Sequence, residues 1–161
     1  MLMRKLKLYL ETSVWNFFFA DDAPEKKEVT KEFFDLAHKG VYEIYISNAV
    51  LTEIDRAPQL IKRQLEDLIG QCRPKTIEVI PEMEDLAGKY IEDKIVPEKK
   101  WEDALHVAVA TVAEVDLVIT WNYRHLANFR KSELFNSVNL KHGYIKTIGI
   151  LTPMEVMSDE N

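Results

Sequence analysis

The stretch that decides the fold is Leu6-Lys7-Leu8-Tyr9-Leu10-Glu11-Thr12-Ser13. It is a short apolar run that ends abruptly on an acid and two hydroxyls. Leucine and tyrosine at this density, without helical spacing, describe a strand enclosed on both faces. A carboxylate at the end of such a strand is costly to bury unless it is paired or bound to a cation. Working outward, similar runs recur at 42–47, 76–80, 117–121 and 146–150, with the first at 6–10. Helical patterns fill the intervals at 30–38, 49–54, 59–71, 82–95, 102–115 and, more weakly, 132–140. In the fifth of these, Leu105, Ala108, Val109 and Val112 recur at i, i+3, i+4 and i+7, which marks a buried stripe. Gly40 and Gly143 close helices, Pro81 ends a strand, and Pro97 precedes a helix. Strands alternating with helices predict an α/β fold with a mostly parallel sheet covered on both faces.

The bulk properties agree with one enclosed domain. The chain has 161 residues, 47% hydrophobic and 30% charged, long enough for a substantial core. No repeat, low-complexity run or linker divides it, so one domain over 1–157 with a frayed tail at 158–161 is expected. No apolar run approaches the roughly 20 residues of a membrane span. The basic start (Arg4, Lys5, Lys7) lacks the apolar core and cleavage site of a signal peptide, which points to the cytoplasm. One cysteine, Cys72, excludes an internal disulfide framework and a cysteine-based zinc site. A formal net charge of −6 argues against a general nucleic-acid coating protein, because such proteins rely on basic surfaces. It leaves a nuclease open, since a cation held by carboxylates reverses the local charge.

Topology brings four positions to one place. Glu11 follows the first strand and Asn122 the fourth, so both lie at the C-terminal edge of a parallel sheet, where open α/β folds bind ligands. Glu53 lies in the helix after the second strand, and Asp103 opens the helix before the fourth. Crossover helices run antiparallel to strands, which directs both toward the same edge. Taken singly, an acid near a helix start is explained by the macrodipole. Taken together, Glu11, Glu53 and Asp103 repel one another, and a hard divalent cation such as Mg²⁺ or Mn²⁺ is the natural compensation. Such a cation lowers the pKa of water and stabilises phosphoryl charge, the two needs of phosphodiester hydrolysis. Ser13 and Thr12 are candidates to orient the carboxylates, although a hydroxyl at a helix start is more often just a cap, and Thr120 is a supporting candidate. His106 lies one turn after Asp103, where contact with substrate and simple packing are equally compatible with its position. Arg124, with His125, follows Asn122, where a cation can meet a phosphate. Trp15, Phe17, Phe18 and Phe19 form an aromatic patch read first as core. The pairs Lys26-Lys27, Lys62-Arg63 and Lys99-Lys100 read as solvated helix faces.

The ordered set Tyr9-Leu10-Glu11-Thr12-Ser13-Val14, Ser47 through Glu53-Ile54, Glu102-Asp103-Ala104-Leu105-His106-Val107-Ala108 and Thr120-Trp121-Asn122 through His125-Leu126 resembles a PIN-domain nuclease, and in particular the VapC-like toxins of type II toxin–antitoxin pairs. The resemblance implies a three-layer α/β/α domain with a central five-stranded parallel sheet. It also implies a Mg²⁺- or Mn²⁺-dependent endoribonuclease acting on RNA, a homodimer, and inhibition by a small antitoxin protein. By this likeness Glu11, Glu53, Asp103 and Asn122 are the catalytic set, the first three being the metal ligands. Two positions depart from the family pattern. Glu11 stands where Asp is usual, which moves the carboxylate outward by about 1.5 Å. Asn122 stands where a fourth acid is common and adds no charge. Those departures leave a second reading, a catalytically weakened PIN-like domain that binds RNA or protein. Phosphatases of the aspartyl-nucleophile type need two aspartates where Glu11 and Ser13 stand. Receiver domains need an aspartate where Pro81-Glu82 stands. Nucleotide-binding loops need glycines after a strand, and none of the five glycines is so placed.

Overall fold

The computed structural model describes residues 4–158. Five strands, β1 (Lys7–Leu10), β2 (Glu43–Ser47), β3 (Lys75–Ile77), β4 (Leu117–Ile119) and β5 (Gly149–Leu151), form one sheet in the order β3-β2-β1-β4-β5. Every neighbouring pair is parallel. The strand beginning the chain is therefore the centre of the sheet, and Leu8, Tyr9 and Leu10 are fully buried. Parallel strands need covering on both faces. Eight helices supply the cover: α1 (Thr12–Phe17), α2 (Pro24–His38), α3 (Asn48–Asp55), α4 (Gln59–Cys72), α5 (Pro81–Glu92), α6 (Trp101–Val112), α7 (Phe129–Lys141) and α8 (Pro153–Ser158). Helix α5 packs on α6 and α7, while α2 packs on α1, α4 and α8. The architecture is the expected α/β/α sandwich. Among the described residues, no helix is long and apolar enough to cross a membrane.

Several boundaries differ from expectation, each for a local physical reason. Two helices escape the periodicity because they have only six residues each, α1 and α8. The signal for α8 lies in its cap. Thr152 and Glu155 exchange hydrogen bonds, Thr152 N donating to Glu155 Oε1 at 2.9 Å and Glu155 N to Thr152 Oγ1 at 3.1 Å, with Pro153 at the first helical position. Ser158 is the last residue of that helix, and the rest of the expected tail, 159–161, lies outside the described residues. Helix α2 begins at Pro24, not at residue 30, and Pro81 opens α5 where a strand end was expected. Helix α7 begins at Phe129, capped by Asn128, whose side chain accepts from Lys131 N at 2.9 Å. Strands β3, β4 and β5 have three residues each. Strand β5 starts only at Gly149, which pairs with Leu117 and leaves no room for a side chain against it.

The aromatic patch is core. Trp15 is fully buried, and Phe17, Phe18 and Phe19 pack against the core around it. Lys26 is more than a solvated charge: its ammonium lies 5.3–5.6 Å from the ring centres of Phe17, Trp121 and Tyr123.

Candidate functional site

The chain runs from β1 outward through β2 and β3, then returns to the other side of β1 as β4 and β5. The order reverses between β1 and β4, so the crevice beyond their C-terminal ends is where ligands of such sheets bind. Glu11 leaves β1 at this point, its backbone N–H donating to Ile119 O on β4 at 3.0 Å. The residue is 6% exposed, and its carboxylate is aimed by three donors that all reach Oε1: Ser13 Oγ at 2.5 Å, Thr120 Oγ1 at 2.6 Å and Ser13 N at 3.2 Å. Glu11 thereby caps α1, a role usually filled by Ser, Thr, Asp or Asn. Ser13 Oγ also accepts from Trp121 N at 2.9 Å, and Thr120 Oγ1 from Asn122 N at 3.0 Å. These hydroxyls stitch the end of β1 to the loop after β4. Glu11 Oε2 receives no hydrogen bond among the described residues. Thr12 Oγ1, buried at the start of α1, has no partner either.

Asp103 comes from the first turn of α6. Burial, reinforced by the charges of Glu11 and Glu53 and only partly offset by His106 and Lys100, pushes its carboxyl up to about 6. Asn122 Nδ2 donates to Asp103 Oδ2 at 3.2 Å, while Asn122 Oδ1 accepts from His125 N at 3.0 Å. Asn122 thus turns its hydrogens toward the acid and spends its oxygen on the following loop. Arg124 is exposed in that loop and pairs with no carboxylate among the described residues.

Glu53 is placed differently. It lies in the second turn of α3, and its Oε1 is hydrogen-bonded to His106 Nε2, with the histidine fully buried. His106 Nδ1 meets Tyr9 Oη at 2.6 Å, and Tyr9 Oη meets Ser47 Oγ at 2.7 Å. Burial lowers the His106 pKa, but the hydrogen bond to Glu53 and the charges of Glu11, Glu53 and Asp103 outweigh it and leave it raised. Burial drives the Tyr9 phenol strongly upward, so it stays protonated. Tyr9 and Ser47 carry no role in the sequence reading. Their signal was a hydroxyl in an otherwise aliphatic central strand, which needs a buried partner.

The structure therefore brings Glu11, Asp103 and Asn122 together with Thr120 and Ser13, and holds Glu53 beside them through His106. Among the described residues, no three His, Cys, Asp or Glu side chains are disposed to hold one ion. The donor set still suits Mg²⁺ or Mn²⁺, which are commonly held by one or two carboxylates with water completing the shell. Glu11 and Asp103 offer hard oxygens, their mutual repulsion is only partly offset by His106 and Lys100, and the hydroxyl of Thr12, the residue after Glu11, is buried without a partner among the described residues.

A PIN domain model matches residues 8–131 of the chain. Among solved structures, a chain of VapBC2 from Rickettsia felis, crystallised bound to a DNA fragment from their promoter, shares the fold with a TM-score of 0.56. It is 16% identical, and the match covers 91% of this chain and 98% of that one. No curated protein matches significantly. The four segments that suggested the family all fall at least partly within the matched span. The chain belongs to the PIN domain family.

Proposed function

We propose that this protein is a divalent-metal-dependent endoribonuclease, a VapC-like toxin restrained by a small antitoxin protein and acting as a homodimer in the cytoplasm. The observation that carries the reading is the pair of shielded carboxylates, Glu11 and Asp103, at the switch point of the sheet with no fixed cation between them. Family membership makes nuclease chemistry the first expectation for such a site. The likeness to a chain of VapBC2 supports an antitoxin partner.

When bound, Mg²⁺ or Mn²⁺ supplies an acidified water and a counter-charge for the phosphoryl oxygens. Everything else falls to the chain. Ser13 and Thr120 hold Glu11 Oε1 and leave Oε2 free of hydrogen bonds among the described residues. Asn122 orients Asp103 through Oδ2 and leaves Oδ1 free of hydrogen bonds. Arg124, exposed after Asn122, offers a guanidinium to a neighbouring phosphate of RNA. Glu53, held by His106, adds a third negative charge beside the pair.

A specific observation favours the second reading as well. Asn122 presents a neutral amide where the family usually has an acid, and Glu53 is tied to a histidine. A domain so weakened would bind RNA or a protein partner without cutting. Incubating purified protein with total RNA and Mn²⁺ or Mg²⁺ separates the two. Cleavage that EDTA stops and Asp103→Asn removes is the expected result. Metal-dependent RNA binding without cleavage would establish the weakened module, and cleavage surviving both EDTA and Asp103→Asn would place the activity elsewhere. A small adjacent reading frame of antitoxin type is the expected gene context.

A further inference from the structure

His106 occupies a position where an apolar residue would be ordinary. On α6 it is surrounded by Ala104, Val107, Ala108 and Val109, all fully buried like itself. A buried imidazole next to a carboxylate costs stability that an aliphatic side chain would not. Its contacts show what is gained. A carboxylate only accepts, so His106 Nε2 carries the hydrogen and donates it to Glu53 Oε1. With the ring neutral, Nδ1 must then accept, and its partner among the described residues is the Tyr9 hydroxyl at 2.6 Å. Tyr9 having donated, it accepts from Ser47 Oγ at 2.7 Å, and Ser47 accepts in turn from Ala49 N at 3.2 Å. With the ring neutral, this order satisfies every group in the chain. The hydroxyl chain starts at the cap of α3, crosses β1, passes through α6 and returns to Glu53 on α3.

A network serving stability alone would close inside the core. This one ends on a carboxylate whose side chain is 21% exposed, next to Glu11 and Asp103. Tyr9 and Ser47, both fully buried, hold the ring in the tautomer that donates toward the site. Glu53 is thereby left with one oxygen taken and Oε2 free of hydrogen bonds.

We infer that His106 is a positioning residue: with its tautomer set by the Ser47–Tyr9 hydroxyl chain, it fixes Glu53 so that its charge, through Oε2, stands beside the water shell of a divalent cation bound by Glu11 and Asp103. This rests on the cation-site reading above. The test is Mn²⁺ binding to the full-length protein at pH 8, followed by calorimetry, together with a long-range ¹H–¹⁵N spectrum of the imidazole. Removing such an outer partner typically costs 10–100-fold in metal affinity, so His106→Asn, which cannot reach Glu53, should weaken Mn²⁺ by about that factor. His106→Gln places an amide N–H near the position of Nε2 and should stay within about threefold of wild type. A purely structural histidine would not separate Asn from Gln. The spectrum should show hydrogen on Nε2 and none on Nδ1. If His106→Asn fails to fold, Tyr9→Phe keeps the ring and removes only the hydroxyl, and it should both weaken Mn²⁺ and release the tautomer preference. A folded His106→Asn that binds Mn²⁺ like wild type, or a ring carrying hydrogen on Nδ1, overturns the inference and leaves the cation site standing. A wild-type protein that binds no Mn²⁺ removes both.

Discussion

The two edges of the sheet treat their buried acids in opposite ways. At the N-terminal edge Asp116, just before β4, is met by two of the chain's own cations and a backbone N–H. Arg4 grips it with both guanidinium nitrogens at 2.7 and 2.8 Å, Lys7 N donates at 2.8 Å, and Lys146 Nζ lies 3.0 Å away. The Arg4 hydrogen bond, with those from Lys7 and Lys146, holds its carboxyl far below the usual range. At the C-terminal edge Glu11, Glu53 and Asp103 are aimed by hydroxyls, an amide and a histidine, and Asp103 is pushed up to about 6. One edge neutralises its acid with the chain's own cations and serves stability. The other concentrates negative charge that His106 and Lys100 offset only in part, an arrangement that makes sense when the missing charge comes from outside.

Substitutions can break or sharpen that contrast. The largest effect should be on catalysis: Asp103→Asn removes a charge worth several kcal/mol to a metal-assisted transition state, so RNA cleavage should fall by about 10²–10³-fold in a timed gel assay. Next comes Asp116→Asn, which strips charged hydrogen bonds from Arg4 and Lys146, partly discounted because both cations are exposed. It should cost about 2 kcal/mol at pH 7, lowering the melting temperature by about 4–8 °C. Because the folded state depresses this pKa, the contribution is present above the unfolded value near 4 and lost as pH falls below it. The gap between variant and wild type should therefore close in acid.

Asp103→Asn should have the reverse effect on the metal-free fold. A raised carboxyl means that the folded state holds the proton more tightly, so the ionised form at pH 8 opposes folding. The variant should be more stable than wild type there by about 1–2 kcal/mol, with the advantage shrinking as pH drops through 6 toward 4. Melting curves across pH read this directly, and an advantage that persisted in acid would dissociate it from the charge. Smallest is Asn122→Asp, which restores a fourth acid and removes the donor to Asp103 Oδ2. It should destabilise the metal-free protein by about 1 kcal/mol and tighten Mn²⁺ a few-fold.

The legibility of the molecule followed the range of the interactions. Strand β1 was readable because its burial is written in consecutive residues, and Glu11 stood out because it breaks that run. The βα alternation was enough to predict a parallel sheet. The six-residue helices α1 and α8 are too short for periodicity, and they are held by Glu11 and the Thr152–Glu155 cap instead. Within the site, sheet topology predicted that Glu11, Asp103 and Asn122 converge on one edge, a placement no chain-local pattern contains. It could not show that Asn122 turns its hydrogens toward Asp103, nor that Glu53 is spent partly on His106. Both depend on side-chain direction. Tyr9 and Ser47 join that network through three separate elements, which no sequence spacing connects.

The most direct test is to titrate the metal-free protein with Mn²⁺ at pH 8 by calorimetry, beside Glu11→Gln and Asp103→Asn. Saturable binding to the wild type, with a matching rise in melting temperature, and its loss in both variants are the expected results. Binding that persists unchanged in Asp103→Asn, or no binding to the wild type at all, would contradict the cation-site reading.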